Sequence, residues 1–208
     1  MWLNPAVGLS GQLGSGKSSL ASILALRTSW PKAAFGDYLR HIAAQRGLGT
    51  DRASLQQLGE EQIALGWEAF CVAVLNHSGW KRGRGLVVDG IRHIDAVGTL
   101  NKLIYPQSLY HVHLAIDEEL RHNRLASRDG LQALFDKSEE HSTEAEVKSA
   151  LPNAADMVVD AARPVEQLAD DIMDAVLPKE PVRNGHPLID IVPDWSSFSG
   201  VLYRSELN

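Results

Sequence analysis

Residues Gly11-Gln12-Leu13-Gly14-Ser15-Gly16-Lys17-Ser18 fit the pattern G-x-x-x-x-G-K-[ST]. That loop wraps a phosphate in backbone amides, and it works only between a buried strand and the start of a helix. Both neighbours are present. The apolar run Ala6-Val7-Gly8-Leu9 precedes it, and Ser19-Leu20-Ala21-Ser22-Ile23-Leu24-Ala25-Leu26 follows with apolar residues at helical spacing. Glycines let successive N–H groups turn inward around an anion. The helix N-terminus adds its positive dipole end. Lys17 supplies a point charge for the terminal phosphates of a nucleotide, and the Ser18 hydroxyl reaches Mg²⁺. The expected phosphate contacts are Gly11, Leu13, Gly14, Ser15, Gly16, Lys17, Ser18 and Ser19. A chance glycine-rich turn is the alternative, and the flanking strand and helix count against it.

The rest of the composition narrows the class. A chain of 208 residues suits one α/β domain with a modest extension. Its 20 basic and 26 acidic residues leave a net charge of −6. That balance argues against a broad nucleic-acid footprint, while a small basic cleft stays compatible with it. The lone cysteine, Cys71, excludes an intrachain disulfide or a cysteine metal cluster, and a reduced cytoplasmic compartment is expected. The start Met1-Trp2-Leu3-Asn4-Pro5 lacks the basic-then-apolar order of a secretory leader. No run approaches the ~18 apolar residues of a membrane span, so no membrane partner is expected.

Strand and helix patterns alternate along the chain. Short apolar runs at Lys32–Phe35, Leu86–Val88, Leu109–Ile116 and Met157–Val159 join the first as strands. Helices are expected over Asp37–Gln45, Arg52–Leu58, Glu60–Leu75 (the last two broken near Gly59), Ile91–Leu103, Asp117–Arg128 and Pro164–Val176. The rhythm predicts a parallel five-stranded sheet with helices on both faces. Right-handed crossovers collect the strand ends at Ser10, Gly36 and Asp89 on one edge, where open α/β sheets bind ligands. We expect one domain over 1–177, and a proline-bearing apolar arm over 178–208. That arm suits packing on its own domain, a homodimer contact or a cover over a pocket.

Two further motifs follow strands: Phe35-Gly36-Asp37-Tyr38-Leu39-Arg40 and Val88-Asp89-Gly90-Ile91-Arg92. Each puts a carboxylate and a guanidinium opposite the phosphate loop. Phosphoryl transfer needs carboxylates near Mg²⁺ and guanidinium forks for an anionic acceptor. With the loop, these motifs resemble the adenylate-kinase-like nucleoside monophosphate kinases over roughly residues 5 to 176. The Arg-x-x-Arg-Leu-x-x-x-Arg run at Arg121, Arg124 and Arg128, and Ala155-Asp156-Met157-Val158-Val159, resemble dephospho-coenzyme A kinases. The D-G-x-R spacing is one residue shorter than in adenylate kinases proper.

The resemblance implies a P-loop fold of the nucleotide-kinase type. It implies an acceptor-binding region over about 37–75 and an arginine-bearing lid over about 121–145. It assigns Arg40 and Arg92 to the acceptor's phosphate, Asp89 to Mg²⁺ with Ser18, Asp37 to the same centre, and Arg121, Arg124 and Arg128 to the transferring phosphoryl group. The implied cofactors are ATP and Mg²⁺, and the implied partner is a small phosphate acceptor, a nucleotide first of all. Each residue also has a plainer reading. Asp37 suits a helix N-cap, Asp89 a structural carboxylate, Arg40 a solvated position and Arg92 a surface ion pair. The three lid arginines suit a charged helix face.

The expected activity is transfer of the ATP γ-phosphoryl to a small acceptor, most simply a nucleoside or deoxynucleoside monophosphate. A hydroxyl acceptor is the rival, such as dephospho-coenzyme A, a modified nucleoside or a polynucleotide, and Asp37 would then be its base. A nucleotide-dependent switch with weak ATPase is a rival of another class. A guanine switch is disfavoured, since Asn101-Lys102-Leu103-Ile104 lacks the aspartate of N-K-x-D. His111 and His113 share a strand face, but no neighbouring ligand completes a metal set. The basic loop Lys81-Arg82-Gly83-Arg84 reads as a solvated connector before a nucleic-acid contact.

Overall fold

The computed structural model describes residues 4–127 and 147–177. Arg128, most of the expected lid and the 178–208 arm lie outside the described residues. The elements run β1 (Ala6–Gly11), α1 (Lys17–Thr28), β2 (Lys32–Ala34), α2 (Phe35–Gln45), α3 (Arg52–Ala64), α4 (Trp67–His77), β3 (Leu86–Ile91), α5 (Ile94–Ile104), β4 (Leu109–Ala115), α6 (Glu118–Ala126), α7 (Ala150–Asn153), β5 (Met157–Asp160) and α8 (Val165–Val176). The five strands form one parallel sheet in the order β2-β3-β1-β4-β5. β1 is central because it is apolar on both faces: Ala6, Val7 and Leu9 have no exposed surface.

Alternation along the strands splits the core into two layers. Ala6, Leu86 and Val88 pack with Phe70, Val74 and Leu100 of α4 and α5. Val7, Leu9 and Val87 pack on the other face with Leu20 and Leu24 of α1 and Leu168 and Ile172 of α8. Each fully buried leucine or valine stabilises the fold by roughly 1.5–3 kcal/mol relative to exposure. The order of the chain reverses across β1, with β2 and β3 on one side and β4 and β5 on the other. The phosphate loop therefore leaves the sheet at a topological switch point.

Four boundaries differ from expectation. Helix α2 begins at Phe35, so Phe35 is not in the second strand and Ala34, not Asp37, is the N-cap. The expected break at Gly59 is absent, and α3 runs unbroken from Arg52 to Ala64. The break falls instead at Gly66, whose φ of 112° is outside the range other residues adopt easily. A helix tolerates one interior glycine at about 1 kcal/mol, whereas a left-handed φ ends it. The strand β3 extends to Ile91, so α5 starts at Ile94 rather than Ile91. Pro164 is the cap of α8, one residue before its first turn. Asp117 caps α6 as expected, accepting from the backbone N–H of Glu119 at 2.9 Å and of Leu120 at 3.3 Å.

Candidate active site

Register brings the motifs together. Ala34, just before Gly36, pairs with Asp89, and Asp89 pairs with Leu9 beside the start of the phosphate loop. The β1–β3 ladder then slips, so that Ser10 pairs with Ile91 and Gly90 is left over with φ 86°. Such a bulge bends the strand end. Here it turns Asp89 and Gly90 into the space in front of the loop.

The loop has the backbone its glycines permit. Gly11 has φ 148°, and an added Cβ would sit 2.7 Å from the Leu114 carbonyl oxygen, so neither conformation nor space admits a side chain. Lys17 opens α1 and is 7% exposed. Its Nζ donates to the Gln12 carbonyl at 2.9 Å, which folds the ammonium over the loop.

Two hollows meet at this loop. The larger, about 700 Å³, lies between α2, α3, α4 and the ends of β2 and β3. Its apolar wall includes Phe35, Leu39, Leu55, Ile63, Trp67 and Phe70, and Arg40, Arg52, Arg92, Asp51, Glu60 and Asp89 bring charge. Phe35 and Phe70 meet edge-on at 5.1 Å, and the rings of Trp67 and His93 lie 5.0 Å apart. The smaller, about 530 Å³, lies between Gly14–Ser19, Arg124 and Ser127 on one side and Ala161–Val165 on the other. Leu13, Lys17 and Ser18 line both.

The expected residues fall into three groups. Lys17, Ser18, Arg40, Asp89 and Arg92 line the larger cleft. Asp89 is 6% exposed, and its Oδ1 has no hydrogen-bond partner among the described residues. Asp37 is in the first turn of α2 but is not among the described residues that line the cleft. Its carboxylate accepts from Arg40 and lies 3.8 Å from Lys32 Nζ. Arg124 lines the smaller hollow, donating to the Ala161 carbonyl at 2.8 Å and the Ser15 carbonyl at 3.5 Å. Arg121 lines neither hollow, and is buried with its Nε 2.7 Å from Glu118 Oε2. The i,i+3 spacing of Arg121 and Arg124 therefore does not give them one target. Sequence reading missed Arg52, Trp67 and His93. Only the apolar face of α4 hinted at Trp67.

Among the described residues no cluster of three or more His, Cys, Asp or Glu side chains could hold a metal ion. The cleft instead suits Mg²⁺ arriving with nucleotide phosphates, which needs only one or two protein oxygens. The buried, unpartnered Asp89 Oδ1 and the Ser18 hydroxyl fit that need.

A neutral network backs the loop. Ser10 Oγ is 2.7 Å from His111 Nε2 and 2.9 Å from His113 Nδ1. His111 Nδ1 is 3.4 Å from the Ala154 carbonyl, so that nitrogen carries the proton. Ser10 then donates to His111 Nε2 and accepts from His113 Nδ1–H, an arrangement that suits two neutral rings. Burial first, then His111 and Lys17, pushes His113 down to about 4, and burial also lowers His111. A depressed histidine binds its proton more readily in the unfolded chain. The stability it contributes is full above its ordinary value of 6.5 and is lost as pH falls from there to about 4. We expect a loss of roughly 2–3 kcal/mol over that window. Denaturant melts of the wild type and His113→Asn at successive pH values check this: the variant should lose the larger part of the slope.

The sequence matches no protein-family model and no curated protein closely enough to count as a relative. Its structure does have counterparts. The shikimate kinase from Acinetobacter baumannii, solved with shikimate, superposes with a TM-score of 0.54 at 18% identity, covering 84% of this chain and 93% of that one. The APS kinase of Mycobacterium tuberculosis, solved with AMPPNP and APS, gives 0.52 at 21% identity, with 83% and 96% covered. A sugar kinase from Janibacter sp. gives 0.52 at 18% identity, with 84% and 96% covered. No described helix is long and apolar enough to cross a membrane. The parallel five-stranded sheet with its phosphate loop at the switch point has the fold of these P-loop kinases.

Proposed function

We propose that the protein is an ATP-dependent kinase for a small acceptor that carries an anionic group. One observation carries the reading: Leu13, Lys17 and Ser18 form a wall shared by two hollows. A nucleotide in the smaller hollow would present its terminal phosphate to whatever occupies the larger one. Arg124, tied to the Ser15 and Ala161 carbonyls, would frame the base and ribose side. Lys17 would exchange the Gln12 carbonyl for β- and γ-phosphate oxygens. Ser18 and Asp89 would hold Mg²⁺, which when bound neutralises charge on those phosphates.

On the acceptor side, Arg40, Arg52 and Arg92 offer guanidinium forks to a phosphate, sulfate or carboxylate. The apolar wall with Trp67 and Phe70 would hold the body of the molecule and exclude water, which otherwise would hydrolyse ATP. Asp37 would act on Arg40 through its ion pair. A nucleoside monophosphate is one member of this acceptor class, and its ionised phosphate needs no base. An anionic molecule phosphorylated on a hydroxyl is the other. The ligands of the neighbours favour it, since shikimate and APS both carry anionic groups beside hydroxyls. Asp37, paired with Arg40 and Lys32 and absent from the described cleft lining, is not placed as the base for such an acceptor. The hydroxyl proton would pass to an oxygen of the transferred phosphoryl group.

The test is ADP release from Mg²⁺-ATP against AMP, dCMP, shikimate, APS and dephospho-coenzyme A. The reading expects stimulation of at least 10-fold by one of them or a close analogue. Slow turnover unaffected by any acceptor would replace it with a nucleotide-dependent switch.

A further inference from the structure

We propose that Gly59 sets the width of the acceptor cleft, an inference that rests on the kinase reading above. Gly59 sits inside the unbroken helix α3 and lines the larger cleft. Glycine is the poorest helix-interior residue after proline, so its place there needs a reason. Conformation gives none, because Gly59 is not among the glycines with positive φ. Packing gives none either. An added Cβ would meet only Leu39 Cδ1, at an ordinary 3.6 Å. The space that a side chain would take is therefore space of the cleft. On the same stretch of α3, Leu55, Gln56, Glu60 and Ile63 also line the cleft and frame the bare backbone at Gly59. An acceptor body can lie directly against the helix there, with Gln56 and Glu60 beside it as hydrogen-bond partners.

The fold carries its own control. Gly98 lies inside α5, also without positive φ and with nothing within 4 Å of an added Cβ, but it is exposed and lines neither hollow. Gly59→Ala and Gly98→Ala should both raise the melting temperature, by about 1–4 °C, through helix propensity. They should part company on the acceptor. One methyl group in a close-fitting pocket is worth roughly 10–200-fold in discrimination. Gly59→Ala is expected to lower kcat/KM for the active member of the acceptor panel at least ~10-fold, with the KM for ATP unchanged. Gly98→Ala should leave both constants as they are.

Kinetics and thermal melts of the three proteins, with the five panel compounds as acceptors, decide it. A Gly59→Ala enzyme with the wild-type acceptor KM and kcat overturns the assignment while the kinase reading stands. An equal acceptor defect in Gly98→Ala overturns it as well, since the effect would then be general. A wild type that neither turns over nor is thermally stabilised by any panel compound overturns the kinase reading and this assignment together.

Discussion

Replacing Lys17 with methionine is expected to lower acceptor-dependent turnover at least ~100-fold, with the fold intact. Methionine keeps most of the buried volume of the side chain and removes only the charge. What is lost is a cation held over the phosphate loop, 2.9 Å from the Gln12 carbonyl and ready to move to phosphate oxygens. Removing one such preorganised partner of developing charge costs about 2.7–4 kcal/mol of barrier, or roughly 10²–10³ in rate. ADP release and far-UV melting of the variant measure the two halves of the expectation. Full transfer activity in Lys17→Met would sink the mechanism. His113 should respond too, since Lys17 contributes to holding its ring below the ordinary value, after burial and His111.

Asp89→Asn should likewise separate activity from stability. Asp89 is buried at the end of β3, and its Oδ1 has no partner among the described residues. A buried polar atom left unsatisfied costs about 1–3 kcal/mol, and more when it is charged. The neutral amide removes the charged part of that penalty but still leaves a buried polar atom to satisfy, so the variant should melt close to the wild type. Turnover should nonetheless fall at least ~100-fold, because the carboxylate's charge is what a magnesium–nucleotide complex would use. A variant that is active but less stable would make Asp89 a structural carboxylate, and full activity at any stability would overturn its magnesium role. One that is inactive and less stable would point to an unrecognised hydrogen bond, to be sought in the Asp89–Ala34 ladder.

Much of this was legible in the chain because it is local. A strand, eight loop residues and a helix form one contiguous piece, and the loop pattern constrains all three. Five apolar runs at the right intervals imply five parallel strands, and handed crossovers collect their ends. Asp89, Arg92 and Arg40 could be placed near the loop for that reason alone, since each follows a strand whose end had to lie there.

Tertiary structure decided what those side chains touch. Asp37 and Arg40 belong to one motif, yet Arg40 lines the cleft and Asp37 pairs with Arg40 and Lys32. Arg121 and Arg124 share a helix, yet Glu118 one turn earlier captures the first, and the Ser15 and Ala161 carbonyls engage the second. The i,i+3 pairs Asp37–Arg40 and Glu118–Arg121 are local, whereas the carbonyls that engage Arg124 come from a loop and a strand end far away in sequence, which no pattern announces. Arg52, Trp67 and His93 entered the cleft only when α3, α4 and the end of β3 were packed around it. Gly59 is the sharpest case. In sequence it reads as a helix break, and the intact helix α3 shows that backbone geometry did not require it. Local periodicity specifies elements and their order, whereas approach between elements distant in sequence determines which atoms meet.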